Sequence, residues 1–378
     1  MLEELDGQIS ALEKKVSFDS NEVYYYNAHR NQELILALQW RCNNFDTKHI
    51  QQIFKESLGI EWIKEIKINS TKGTWHVIAF VETPDHTYVY RQTVGLPTPE
   101  SYMLLEKDIT DEYKSIWIGS VDILSYGSKP WFERQIMEVL PGENVKELKL
   151  DQTQYDHIST QIGQIIAKQY HLPHEWWWRI IKENGKLKWY RQTHYDHFTA
   201  YLDYDLELMW LSQIIDEASI SLLKNHLAWP HIKEIFADTK PYLISNDLPD
   251  HNVRVNPETL KVSAIYDREN AVIFDPICEL GALPTRSSPY PKKQQLIQGF
   301  KSYIQEAKLE DQVDLSSFDE KIALYFLRTI LRKMPMAIKG KKLSSRHIDL
   351  FNEALQDNKL DKEIKINPEA VKILVWDR

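Results

Sequence analysis

The stretch LISNDLPDHNVRV, residues 243–255, places seven residues with a single apolar side chain between two apolar segments. The flanking segments YLI and VRV have the composition of buried strands, so the polar residues form their connection. This connection carries Asp247 and Asn252, five positions apart. Because Asp and Asn often stabilise turns, it is either an ordinary polar loop or a loop that holds groups needed for a reaction.

The chain that follows, NVRVNPETLKVSAIYD, has the pattern of a hairpin with a polar, Pro-containing turn. A hairpin returns the chain to its starting point, so we expect Asp267 to lie close to Asn252. Carboxylate and amide oxygens are the ligands that Mg²⁺ prefers, and Mg²⁺ usually leaves room for phosphates and water. Together with a carboxylate that accepts or orients a hydroxyl proton, these groups are the parts that phosphoryl transfer requires.

Composition allows a two-lobed protein and disfavours several other classes. The 378 residues suffice for two lobes, and 43% apolar with 27% charged residues is close to the average for soluble proteins. No run approaches the roughly 18 apolar residues of a membrane span. The N-terminal MLEELDGQIS is too acidic and too polar for a signal peptide. We therefore expect a soluble, cytoplasmic protein that does not associate with membranes.

The net charge and the spacing of Cys and His residues argue against nucleic-acid binding and against a transition-metal site. A net charge of −9 argues against nucleic-acid binding, which rests on phosphate neutralisation by Lys and Arg. Cys42 and Cys278 lie far apart and lack metal-binding spacing, which predicts neither a disulfide nor a zinc site. His194 and His197 lack a third ligand at metal spacing, so no transition metal is expected.

The order of patterns along the chain predicts an α+β, bilobal architecture. Three strands, a helix and two further strands span about residues 60–140, and PGENV ends this unit. Mainly helical segments follow, with the last three helices expected around 292–307, 316–336 and 345–357. We assign 1–46 to an N-terminal helical extension, 47–140 to a β-rich N-lobe and 141–378 to a helical C-lobe.

The extension begins with an apolar stripe whose spacing is 3-4-3-4. The stripe comprises Leu2, Leu5, Ile9, Leu12 and Val16. Such a stripe fits a helix packed against the main body, and it also fits a helix that pairs with a second copy of the chain. Two heptads are few for a coiled coil, so packing against the main body is favoured. A dimer through this helix remains the alternative, and the sequence leaves the oligomeric state open.

Three motifs, SNDLPDHN, IYDRENA and FDPICELG, resemble in order those of the aminoglycoside phosphotransferase and choline kinase-like family, a branch of the protein-kinase-like fold. That family typically has His-Gly-Asp-Leu-x-x-x-Asn, then Ile-Asp-Trp-Glu, then Asp-Pro-x-x-Asp-Leu. The steps from Asp247 to Asn252 and on to Asp267 are similar to the family's. The resemblance covers about residues 47–335. It implies a β-rich N-lobe with one internal helix and a mainly helical C-lobe.

The resemblance implies a role for each matched residue. Asp247 would be the catalytic residue that contacts the acceptor hydroxyl, and Asn252 and Asp267 would hold Mg²⁺.

Two departures from the family pattern matter for the site. Ser245 replaces the His that supports the family's catalytic loop, and Arg268 replaces the Trp after the metal-binding Asp. Because Arg268 and Glu269 are expected where the acceptor approaches, the acceptor can differ from those of better-known members.

The resemblance also implies a site for ATP or GTP in the N-lobe. The turn INSTKGTW, residues 68–75, with Ser70 and Gly73, would cover the phosphates, although an ordinary hairpin loop fits equally well. Arg91 on the third strand would pair with the α- and β-phosphates, or it is a surface arginine at a strand end. Its partner on the helix would be Glu100 or, alternatively, Glu106.

The hinge between the lobes is expected in the segment MEVL. Backbone groups of Glu138 and Leu140 would bind the adenine there, because an extended chain edge reads a flat heterocycle well. Ile136, Met137 and Val139 are otherwise ordinary core residues of a strand.

Aromatic residues concentrate in HEWWWR, residues 174–179, and in WYRQTHYDHF, residues 189–198. With Asp196, Asp203 and Asp205 they would suit a cationic or sugar-like acceptor. The alternative, which we favour, is a packing cluster between helices.

These features predict a Mg²⁺-dependent small-molecule kinase. It would transfer the γ-phosphoryl group of ATP or GTP to a hydroxyl of an amino sugar or aminoglycoside, a sugar or an amino alcohol. The alternative is a catalytically silent, kinase-like nucleotide-binding or interaction protein, which the departures at Ser245 and Arg268 favour. A protein kinase is disfavoured, because the Gly-x-Gly-x-x-Gly, Asp-Phe-Gly and Ala-Pro-Glu motifs are missing.

Overall fold

The computed structural model of the chain describes residues 2–13, 36, 39–69, 76–93, 103–116, 118–129, 132–183, 186–285, 292–313 and 315–375. These residues form a smaller unit built on a five-stranded sheet and a larger, mainly helical unit. The predicted α+β bilobal architecture is therefore confirmed. No helix within the described ranges is long and apolar enough to cross a membrane.

The N-terminal helix α1 (Leu2–Glu13) packs against the helical lobe. Leu5, Ile9 and Leu12 are buried in its core, and Asp6 accepts a salt bridge from Lys341 at 3.1 Å. The described part of the apolar stripe is thus covered by the chain's own C-lobe, as the favoured alternative predicted. The pattern of NQELILALQWR, residues 31–41, predicts a second helical segment, most of which lies outside the described residues.

The N-lobe is an antiparallel sheet in the order β1-β2-β3-β5-β4. Its strands are β1 (Glu65–Asn69), β2 (His76–Glu82), β3 (Thr87–Thr93), β4 (Ile123–Lys129) and β5 (Phe132–Glu138). Alternate residues of β2, Val77, Ala79 and Val81, are buried, as period-2 patterning requires. Helix α2 (Thr47–Leu58) packs on the sheet and ends at Gly59, whose φ of 68° fits a glycine C-cap.

Helix α3 (Met103–Ser115) connects β3 to β4 and is the single helix expected within the N-lobe. Leu105, Ile109 and Tyr113 are buried in the main core. The segment PESYMLLEKDITDEY predicts that this helix begins near Pro99, and that start lies outside the described residues.

The C-lobe holds ten further helices among the described residues. They are α4 (Gln152–Lys168), α5 (His194–Phe198), α6 (Leu202–Leu211), α7 (Glu217–His226), α8 (Trp229–Ile235), α9 (Ile277–Ala282), α10 (Lys293–Glu306), α11 (Phe318–Lys339), α12 (Ser345–Asp357) and α13 (Pro368–Leu374). The three predicted C-terminal helices correspond to α10, α11 and α12. Helix α11 runs through the core of the lobe, with most of its residues buried.

Two small sheets complete the C-lobe. Their strands are β6 (Glu143–Asn144), β7 (Trp178–Glu183), β8 (Lys186–Arg191), β9 (Tyr242–Ile244), β10 (Val253–Val255), β11 (Val262–Ile265) and β12 (Val272–Phe274). The predicted hairpin is β10-β11, and β6 extends it on the hinge side. The hairpin β7-β8 was not predicted, because its aromatic residues were interpreted as an acceptor site or as a packing cluster between helices. Asn184-Gly185, a favoured hairpin turn, was its signal in the sequence.

Candidate active site

The loop between β9 and β10 brings Asp247 and Asn252 together. The Asn252 side-chain amide Nδ2 donates to the Asp247 carbonyl oxygen at 3.2 Å. Asn246 occupies the position where the family motif has Gly. Its φ of 55° is a left-handed conformation, which Asn tolerates. Ser245, only 2% exposed, donates its backbone N–H to the Gln169 side chain at 2.8 Å. The loop is therefore supported by a buried glutamine although the family's His is replaced.

Asp267 reaches this loop from the end of the β10-β11 hairpin. The backbone N–H of the preceding residue, Tyr266, donates to the Asn252 carbonyl oxygen at 3.2 Å. Asp267 has a φ of 63°, so its backbone is held in the left-handed region. The hairpin thus returns the chain beside Asn252, as its sequence predicted.

The donors at this end of the hairpin fit a magnesium ion. The Asn252 amide nitrogen is used within the loop, so its oxygen is the atom that would coordinate the metal. The Asp267 side chain is 40% exposed and can offer its carboxylate to a metal and phosphates. No group of three or more His, Cys, Asp or Glu in the described part of the chain forms a metal cluster.

Although the Asp267 side chain is partly exposed, desolvation by the surrounding protein raises its pKa to about 8, and the carboxylates of Glu269, Glu106 and Asp247 act in the same direction. Arg91 opposes this rise. A divalent cation would reverse the balance, since a nearby positive charge favours the ionised carboxylate.

Arg91 on β3 lies among three carboxylates. Its Nη1 donates to Glu106 at 2.6 Å, and its Nη2 contacts Asp267 at 3.4 Å and also donates to Glu269. Burial acts to lower the pKa of Arg91, but the three carboxylates raise it above its usual value. The helix partner of Arg91 in the structure is Glu106; Glu100, like Ser70 and Gly73, lies outside the described residues. Arg91 is buried, so it is not a surface arginine at a strand end.

Glu106 connects helix α3 to the chain at Asp267. While one carboxylate oxygen binds Arg91, the other accepts the backbone N–H of Asp267 at 2.9 Å and that of Arg268 at 3.3 Å. Glu106 is 1% exposed. A single buried carboxylate therefore fixes both the arginine of the sheet and the backbone of the candidate metal ligand.

Arg268 points into the protein, which corrects the expectation that it faces the acceptor. It is 2% exposed, lies 3.9 Å from the ring centre of Tyr113 on α3, and donates to Ser120 at 2.6 Å. Burial lowers the pKa of its guanidinium to about 10. The arginine replaces the family's Trp as an inward-facing, flat side chain, so it does not define the acceptor.

Glu269 was expected where the acceptor approaches, whereas Asn270 was missed as a functional candidate. Glu269 accepts a hydrogen bond from His76 on β2 at 2.7 Å, besides its bond with Arg91. It is therefore turned towards the N-lobe and not towards an acceptor. Asn270 donates to the Asp247 carboxylate at 3.2 Å. The four successive side chains of the motif DREN thus have different sets of partners, and the sequence does not predict which partners each side chain has.

The chain leaves β5 at Glu138, where the hinge is predicted. The Glu138 N–H donates to the Asp122 carbonyl at 3.0 Å, so this N–H is already used within the N-lobe. Beyond Leu140, the carbonyl of Pro141 accepts a hydrogen bond from Ser263 at 2.8 Å. The nucleobase contacts of Glu138 and Leu140 stay predictions.

The aromatic segments of the C-lobe divide into a buried and an exposed set. Trp177 and His194 belong to an aromatic cluster with Phe274, as the packing alternative predicted. Trp176 and Trp189 are exposed at the β7-β8 hairpin, as is Tyr190.

The three nearby acidic residues each have a structural partner. Asp205 is fully buried and binds Arg328 at 2.9 Å, so it is not an acceptor ligand. Asp203 binds Lys224 at 2.8 Å, and Asp196 caps α5 by accepting from the Thr193 N–H at 3.0 Å.

Comparison with known proteins shows the fold. The sequence matches no protein-family profile and no curated protein. Among solved structures, a protein assigned as a fructosamine-3-kinase from Haemophilus somnus 129PT is similar, with 13% identity, a TM-score of 0.53, and coverage of 82% of this chain and 96% of the other.

Two aminoglycoside phosphotransferases are similar in the same way. A thermostable mutant of APH(4)-Ia, in a ternary complex with AMP-PNP and hygromycin B, has 13% identity and a TM-score of 0.51, with 82% of this chain and 96% of the other covered. A mutant of aminoglycoside 2′-phosphotransferase-IIIa bound to GDP has 14% identity and a TM-score of 0.50, with 84% and 97% covered. The chain has the bilobal, kinase-like fold of these phosphotransferases, which confirms the fold that the motifs implied.

Proposed function

We propose that this chain is a small-molecule kinase that transfers the γ-phosphoryl group of ATP or GTP to a hydroxyl of a small acceptor. The observation that carries the proposal is the convergence of Asp247, Asn252 and Asp267 at one end of the β10-β11 hairpin. The fold shared with structures that contain AMP-PNP or GDP supports a nucleotide co-substrate.

Each residue has a defined task in this proposal. Asp247 orients the acceptor hydroxyl and accepts its proton, while Asn270 holds the Asp247 carboxylate. Asn252 and Asp267 would hold Mg²⁺, which supplies charge neutralisation at the phosphates. The hinge carbonyl of Glu138 and the backbone of Leu140 would bind the nucleobase. Catalysis comes mainly from alignment and from charges fixed before the reaction.

The acceptor class is an amino sugar or aminoglycoside, a sugar or an amino alcohol, in a cytoplasmic enzyme. The similar structures include an assigned fructosamine-3-kinase and a complex with hygromycin B, which support an acceptor that carries both hydroxyl and amino groups. The negative net charge suits such a cationic compound.

The test is thermal stabilisation by ATP and by GTP, each with and without Mg²⁺. We expect metal-dependent stabilisation of the wild type that Asp267→Asn loses and that the exposed control Asp203→Asn keeps. Candidate acceptors are then screened, and release of the nucleoside diphosphate is measured for each. Stabilisation by nucleotide without turnover of any acceptor would favour the catalytically silent protein, and no stabilisation would contradict the nucleotide site itself.

A further inference from the structure

Both terminal nitrogens of the Arg91 guanidinium contact carboxylates of the protein. One terminal nitrogen binds Glu106 at 2.6 Å, and the other contacts both Asp267 and Glu269. The Arg91 side chain is only 8% exposed. This arrangement differs from a side chain that extends into the cleft to meet phosphates, which is the role that the family resemblance implies.

Two of the three carboxylates come from the segment that would bind the metal. Asp267 is the candidate ligand, and Glu269 follows two residues later with a second bond to His76 at 2.7 Å. Carboxylates gathered around one guanidinium repel one another, and Arg91 is the cation that they share. Without it, the repulsion would move Asp267 and Glu269 apart and lower the number of Asp267 orientations that suit a metal.

We propose that Arg91 is a positioning residue for the metal site: it acts on the nucleotide through Asp267 and Glu269 and not by direct contact with the phosphates. The inference rests on the proposed function. The fork of a guanidinium is suited to the task, since its rigid set of donors can reach several carboxylates at once. A lysine is a compact charge that can serve a phosphate well but lacks the rigid, extended fork that reaches carboxylates on different sides.

The substitution Arg91→Lys distinguishes a positioning role for Arg91 at the metal site from direct contact of Arg91 with the phosphates. Thermal stabilisation by ATP is measured over a series of Mg²⁺ concentrations and also without metal. We expect the Mg²⁺ concentration for half-maximal stabilisation to rise roughly 10- to 100-fold, as for losses of groups that orient metal ligands. Metal-free binding of ATP should be unchanged. Direct phosphate contact would give the opposite result, because the lysine would keep the response to Mg²⁺.

Two further variants complete the test. Arg134→Lys makes the same change on the neighbouring strand β5, where Arg134 contacts Ser57 at 3.4 Å, and should leave the Mg²⁺ response unchanged. Glu269→Gln keeps Arg91 but weakens the contact of Arg91 with the segment that follows Asp267. It should raise the Mg²⁺ concentration for half-maximal stabilisation, as Arg91→Lys does. If Arg91→Lys fails to fold, Glu269→Gln replaces it in the test, and an unchanged Mg²⁺ concentration would then overturn the inference.

The outcomes distinguish this inference from the proposed function. If the wild type shows no Mg²⁺-dependent stabilisation by ATP or GTP, the proposed function fails and the inference fails with it. If the wild type responds to Mg²⁺ and Arg91→Lys responds at the same concentrations, the nucleotide site stands and only the positioning role of Arg91 is wrong.

Discussion

Asn270 donates a hydrogen bond from its side-chain amide to the carboxylate of Asp247 over 3.2 Å, and its own carbonyl accepts one from Asn246, also at 3.2 Å. The two contacts join the segment that follows Asp267 to the loop that carries Asp247. The orientation of the proposed catalytic carboxylate is therefore set from outside its own loop.

Removal of this contact should slow the reaction without weakening nucleotide binding. We expect Asn270→Ala to lower kcat roughly tenfold, equal to about 1.4 kcal/mol in the activation barrier, because Asp247 loses a donor that orients it. The KM for the nucleotide should stay within about twofold of the wild type. Steady-state kinetics with an accepted hydroxyl compound measure both constants. Equal losses in kcat and in nucleotide affinity would show that Asn270 supports the fold of the site and not the carboxylate alone.

Asp247 itself should be required for turnover and dispensable for binding. We expect Asp247→Ala to remove phosphoryl transfer, because no other carboxylate in the loop between β9 and β10 is assigned to the acceptor proton. Calorimetric titration with ATP and Mg²⁺ should give an affinity close to that of the wild type. A variant with full activity would exclude Asp247 as the catalytic residue.

The sequence predicted the parts of the site that follow one another along the chain. The distance from Asp247 to Asn252 and the return of the hairpin to Asp267 are properties of local pattern, and the structure has both. The contacts of Arg91, Glu106 and Glu269 join a strand, a helix and a loop that are far apart in sequence. Local periodicity contains no information about such contacts.

Arg268 shows a second limit of sequence reasoning. Its place in the motif that resembles the family's put it near the acceptor. The structure buries it on Tyr113 instead, where a flat guanidinium can stack as a Trp would. Side-chain direction on an irregular segment is decided by the cavity that tertiary packing leaves, so the motif alone misplaced this residue.

The response to Mg²⁺ should depend on pH through Asp267. Its pKa of about 8 means that the carboxyl group is mostly protonated at neutral pH and must lose this proton to bind a metal. We therefore expect the Mg²⁺ concentration for half-maximal stabilisation by ATP to fall as the pH rises from about 7 to 9, above the range near pH 6 where phosphate groups titrate. Asp267→Asn should respond weakly to Mg²⁺ and show no such trend.

The same carboxyl group should affect the stability of the metal-free protein in the opposite direction. A carboxyl whose pKa is raised by folding binds its proton more tightly in the folded state, so stability is lost as the pH rises from about 4 through about 8. Asp267→Asn should therefore be more stable than the wild type at pH 8 and similar to it near pH 4. Thermal unfolding without metal at the two pH values measures the difference, and equal melting temperatures at pH 8 would contradict the raised pKa.

Asp205 and Asp203 should differ sharply although both lie in the first turn of α6. Asp205 is fully buried and binds Arg328, which also donates to the Phe198 carbonyl at 2.9 Å. We expect Asp205→Ala to lower the free energy of unfolding by about 3–5 kcal/mol, because it leaves a buried arginine without its counter-charge. Asp203 is 87% exposed in its pair with Lys224, so Asp203→Ala should cost about 1 kcal/mol or less. Urea unfolding at 25 °C measures both values.

The comparison also tests whether these acidic residues serve an acceptor. If Asp205 is purely structural, the folded fraction of Asp205→Ala should keep the acceptor KM of the wild type, since a fully buried carboxylate bound to Arg328 does not meet a ligand. A raised acceptor KM in Asp205→Ala, with an unchanged free energy of unfolding, would return this residue to the acceptor site. Asp203→Ala supplies the matched reference, because it removes the same carboxylate from the same turn of the helix at a position open to solvent.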